Sequence, residues 1–105
     1  MEILCALYRK QNAGDIKRGG ARTLFRRFLT DCNAGRIILI PYGGAVVERA
    51  ERILQTDLQS PNPVLIRSLD LIHLASAMSA HVTTLVATDM RLREIARRNG
   101  LKLLP

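Results

Sequence analysis

The run Thr84-Leu85-Val86-Ala87 constrains this chain most. Four residues are too few for a helix, and the helical repeat Leu92, Ile95, Ala96 follows at once through Asp89. Arg36-Ile37-Ile38-Leu39-Ile40 has the same build. Pro41 and Gly43-Gly44 end it, and a helical pattern from Ala45 to Leu58 follows. There Val47, Ala50 and Leu54 face inward, and Glu48 stands four residues ahead of Arg52. Strands without polar alternation are covered on both faces, and a strand feeding a helix returns in parallel. The two segments therefore predict an α/β fold with a short parallel sheet between helices.

The rest of the chain is helical in pattern. Ile3, Leu4, Leu7 and Tyr8 form one stripe that Gly14 stops. Leu24, Phe25, Phe28, Leu29 and Cys32 form a second, closed by Asn33 and Gly35. Ser60-Pro61-Asn62-Pro63 reads as a turn, and a helix from about Leu69 to Ala80 takes Ser68 as its N-cap. Gly100 stops the last helix, and Leu101 to Leu104 reads as a further short strand. A doubly wound domain usually opens on a strand, whereas this sequence opens on a helix, so the expected fold lacks its N-terminal strand.

At 105 residues the chain has room for one core, and 48% apolar content suffices to fill it, so a single domain over 1–105 is expected. That content argues against disorder. No apolar run approaches the ~20 residues of a membrane span. Glu2, Arg9 and Lys10 do not suit a secretory leader. Cys5 and Cys32 are too sparse for a disulfide framework; they read as buried thiols of a reducing, cytoplasmic compartment. The formal charge of +7 favours a polyanionic partner, nucleic acid before lipid. The basic residues gather in two groups, Arg18, Arg22, Arg26 and Arg27, then Arg91, Arg93, Arg97 and Arg98. With two Tyr, two Phe and no Trp, contact with phosphate outweighs base stacking, and a solvated face remains the plainer reading.

Ligands of open parallel sheets bind beyond the carboxyl ends of the strands. Asp89 falls there, and Asp70 opens the preceding helix. Two such carboxylates repel unless a cation or a proton intervenes, and hard oxygen donors suit Mg2+ or Mn2+. Spacing alone favours a plainer role for both: Asp89 as an N-cap, Asp70 as a favourable charge in a helix's first turn. Glu2 reads as a solvated first-turn residue. His73 reads as a packed or hydrogen-bonded side chain, and His81 as a favourable charge at a helix end.

The block Arg67-Ser68-Leu69-Asp70-Leu71-Ile72-His73-Leu74-Ala75-Ser76-Ala77, with Leu85-Val86-Ala87-Thr88-Asp89-Met90-Arg91-Leu92, resembles the C-terminal half of PIN domains, best of all the bacterial VapC-like toxins. The opening Glu2-Ile3-Leu4-Cys5-Ala6-Leu7-Tyr8-Arg9 resembles that family's acidic helix. The resemblance implies a three-layer α/β/α fold and acidic ligands for Mg2+ or Mn2+. It also implies RNA cleavage, a homodimer, and neutralisation by a cognate antitoxin. By position Glu2, Asp70 and Asp89 match three of the acidic ligands, which the resemblance makes the catalytic set. The family's first Asp lies on an N-terminal strand ahead of the position matching Met1. Ala87 also stands where the family often has Ser or Thr.

Three functions follow as expectations. The first is a metal-dependent endoribonuclease, the toxin of a toxin–antitoxin pair, with Arg18, Arg22, Arg26 and Arg91 contacting RNA. The second is an inactive remnant that binds RNA or an antitoxin without turnover. The third is a structural oligomer joined through unpaired strand edges.

Overall fold

In a computed structural model describing residues 1–105, the order is α1 (Glu2–Asn12), α2 (Gly20–Asn33), α3 (Gly44–Gln59), α4 (Ser68–Ser79), β1 (Thr84–Val86), α5 (Met90–Arg98) and β2 (Lys102–Leu104). The chain divides into two compact units, Met1–Leu39 and Ile40–Pro105. No helix is long and apolar enough to cross a membrane.

The first unit is a helical pair. α1 and α2 pack together, and the Ala21 amide donates to Gln11 Oε1 at 3.0 Å. Gly20 lets the chain fold tightly at the start of α2, since a Cβ there would lie 2.5 Å from Ile16 Cγ2. The expected apolar stripes exist, and the Phe25 and Phe28 rings stack with centroids 6.0 Å apart. Ala21 is nevertheless the unit's sole buried residue; Ile3, Tyr8, Leu24 and Leu29 are exposed. Cys5 is exposed as well and Cys32 half-buried, both as free thiols, so the expectation of two buried cysteines fails.

The strand expected over Arg36–Ile40 does not form. The Arg36 and Ile37 amides turn back to the Asp31 carbonyl, at 2.9 and 3.3 Å, closing the end of α2. The Arg36 guanidinium pairs with Asp31 at 2.9 Å. The beginning of the run is thereby spent on capping a helix rather than on a ladder. Ile38 is 79% exposed.

The second unit holds the core: Val46, Ile53, Ile66, Leu71, Leu74, Ala75, Leu92, Ile95, Ala96 and Leu101. α3 packs on α4 through Val46, Ile53 and the partly buried Ala50, while Val47 is exposed. Val46 thus takes the place expected of Val47, while Ala50 and Leu54 pack partly buried against the core as expected. Adjacent Val46 and Val47 offer two possible stripes, and packing against Leu71, Leu74 and Ala75 selects the first. α5 buries Leu92, Ile95 and Ala96 as the repeat predicts. Gly100, at φ +87°, makes the left-handed turn after it.

β1 and β2 pair in parallel, Leu85 beside Leu103 and Val86 beside Leu104, with α5 as their crossover. The fold is therefore mixed α/β, mostly helical, with a two-stranded parallel sheet. β1 is not covered on both faces. Each strand of a pair is an edge, and Val86 is 69% exposed.

Candidate functional site

The sequence-level candidates separate by unit: Glu2 belongs to the first, Asp70 and Asp89 to the second. Glu2 opens α1 and is exposed.

Asp70 is positioned through a chain of local contacts that begins at Asp57. This carboxylate lies one turn beyond Ile53 on the buried face of α3 and is 5% exposed. Its Oδ1 accepts from the Val64 amide at 2.9 Å, its Oδ2 from the Leu65 amide at 3.0 Å. Leu65 has φ +56°, an uncommon conformation for a side-chain-bearing residue, and two successive amides meet one carboxylate there. Arg98 adds a donor, with Nη1 at 2.7 Å from the Asn62 carbonyl and 3.8 Å from Asp57 Oδ1. The loop so held leads through buried Ile66 into α4. The Leu71 amide bonds to the Arg67 carbonyl at 2.9 Å, so Arg67 is the N-cap and Ser68 already helical, contrary to the expected Ser68 cap. Asp70 sits in that first turn, half-buried, with no hydrogen bond or ion pair of its carboxylate inside the chain.

Asp89 follows β1 and is the N-cap of α5. Its Oδ1 accepts from the Leu92 amide at 2.9 Å, leaving Oδ2 unengaged, and the residue is exposed. The capping role foreseen for Asp89 is present. His73 lies one turn after Asp70 and is exposed. His81, at φ +58°, takes the left-handed position after α4.

No group of three or more His, Cys, Asp or Glu side chains is placed to hold a metal ion. Mg2+ is ordinarily held by one or two carboxylates, with waters and substrate phosphates completing its shell. The donor chemistry of Asp70 and Asp89 fits that lesser demand: hard oxygens, one carboxylate without a partner and one with an oxygen to spare.

Basic residues differ in how far they are compensated. Arg18, Arg22, Arg26 and Arg27 are exposed along α2 and just before it, and Arg91 is exposed on α5. Further along α5, Arg97 and Arg98 both donate to Glu94, at 2.7 and 2.9 Å, holding its carboxyl at about 2. Arg93 instead reaches the Ala87 and Leu104 carbonyls at 2.7 and 2.8 Å.

Sequence reasoning missed Asp57 and gave Arg93 no individual role. Asp57 could have been found as an acid at an inward position, eleven residues after Val46 and just ahead of the Ser60–Pro63 turn. Arg93 carried no signal of its own, because its acceptors are backbone carbonyls, which every residue offers. Comparison with protein-family models, curated proteins and solved structures gives no match.

Proposed function

We propose that the chain is a metal-dependent endoribonuclease of the PIN type, with Asp70 and Asp89 as its central carboxylates. The observation that carries the reading is the half-buried, partnerless carboxylate of Asp70. Asp89 beyond the carboxyl end of a parallel strand, and the net charge of +7, support it. The reading carries with it a three-layer α/β/α fold, Mg2+ or Mn2+ as cofactor, and RNA as substrate. It extends to a cognate antitoxin, a homodimer and a cytoplasmic setting. The ion, when bound, supplies an activated water and offsets charge on the phosphodiester. Asp70 and Asp89 would hold it, Asp89 while still capping α5.

Purified protein incubated with single-stranded RNA in Mg2+ or Mn2+, and in EDTA, tests this. Cleavage should need the metal, and Asp70→Asn and Asp89→Asn should each lower it by about a hundredfold or more. Unchanged cleavage in both variants refutes the assignment. A second reading, RNA binding without turnover, rests on the exposed arginines of α2, which cleavage itself does not require. Salt-sensitive binding with no cleavage in either metal would select it.

A further inference from the structure

Arg93 sits where the two strands end. Its Nη1 donates to the carbonyl of Ala87, one residue past β1, at 2.7 Å, and to that of Leu104, the last residue of β2, at 2.8 Å. Both Nη1 protons are spent on orienting the group. Three N–H donors, on Nε and Nη2, have no acceptor inside the chain.

Four other arginines are compensated by carboxylates. Arg36 pairs with Asp31, Arg52 with Glu48, and Arg97 and Arg98 with Glu94. Arg93 has no carboxylate partner and is half-buried. It therefore holds a fixed, unneutralised charge at the carboxyl edge of the sheet, one helical turn after Asp89. A guanidinium fork suits phosphate oxygens, and one already tied in place loses little freedom on binding. Asp89 alone would repel a phosphodiester, so a fixed cation beside it has an electrostatic task.

We propose that Arg93 is a phosphate-binding residue, gripping a backbone phosphate of single-stranded RNA at the ends of β1 and β2. The proposal rests on the ribonuclease reading and deepens it.

The test is the binding of a short fluorescein-labelled single-stranded RNA, followed by anisotropy over a salt series. EDTA is present so that no metal-dependent turnover intervenes. The unsubstituted chain, Arg93→Gln and Arg93→Lys are compared, with a melting curve for each. Arg93→Gln should weaken binding about tenfold and flatten the log–log salt slope by about 0.7, the share of one phosphate. Arg93→Lys, which keeps the charge, should keep the slope. A role confined to tying the strands would shift melting and leave the slope of the folded protein alone. An unchanged slope in Arg93→Gln, or an equal loss in both variants, overturns the Arg93 assignment while the ribonuclease reading stands. If the unsubstituted chain binds no RNA at any salt, that reading falls and the assignment with it.

Discussion

Met1–Leu39 and Ile40–Pro105 carry apolar stripes of comparable regularity, yet they end in different states. In the second unit α3, α4 and α5, with Ile66 and Leu101, enclose ten buried apolar residues. In the first, α1 and α2 bury Ala21 and leave Leu24 and Leu29 exposed. Periodicity states which face of a helix seeks cover; it does not supply the cover. Two helices shield only the line along which they touch, whereas three helices and a sheet surround a volume. The Ile37–Ile40 run makes the same point for strands. It is the most apolar run of the chain, and without a ladder it lies in solvent.

The contrast can be broken most sharply at Leu74, fully buried in the second unit. Leu74→Ala should cost about 2–5 kcal/mol by denaturant unfolding, whereas Leu24→Ala should cost about 0.5 kcal/mol or less. Equal losses would mean that the first unit has a core of its own.

Asp57 should come next. Asp57→Asn retains one acceptor for two amides and should cost about 1–3 kcal/mol. Faster hydrogen exchange at Val64 and Leu65 would locate the damage; exchange unchanged at both would deny the clamp.

Asp89→Ala should cost about 1 kcal/mol through the lost helix cap, while Asp89→Asn should cost little. Thermal melting of the pair separates capping from chemistry, since under the proposed function both substitutions should lower cleavage alike. A large loss of stability in Asp89→Asn would show that its charge, not its cap, serves the fold.

The smallest effect concerns Glu94, whose carboxyl Arg97 and then Arg98 hold at about 2, below its usual 4.5. A depressed carboxylate contributes its stability above the unfolded value and loses it as pH falls through the folded one. The Glu94 contacts should therefore hold above pH 4.5 and fail towards about 2. The carboxyl carbon shift, followed by NMR, should titrate low, and Arg97→Gln should move it upward. An ordinary midpoint in the unsubstituted chain would contradict the pairing.

Much of the second unit was legible in the sequence because its signals are local. Leu92, Ile95 and Ala96 repeat at helical spacing, Gly100 stops the helix, and Asp89 caps it, all within twelve residues. Glu48 and Arg52 meet at 3.9 Å, as their spacing predicts. What failed depended on contacts that residue pattern does not announce. The Arg36–Ile40 run has ideal strand composition, but a strand exists only beside another, and Asp31 takes its first amides. Val47 lost its place to Val46 because α4 chose between adjacent stripes. Of the candidate site, Asp70 and Asp89 stood out by position beside strand and helix, where spacing alone favoured a plainer role for both. The buried Asp57 clamp and the Arg93 tie could not, since their partners are backbone amides and carbonyls, which every residue carries.

The central claim is that Asp70 and Asp89 share one divalent ion. Titrating Mn2+ into isotope-labelled protein and following amide signals by NMR tests it directly, because paramagnetic broadening falls steeply with distance from the ion. The account predicts that signals around residues 70 and 89 broaden together at the first additions and recover with EDTA. Broadening around only one of them, or around neither while exposed acids elsewhere respond, would contradict it.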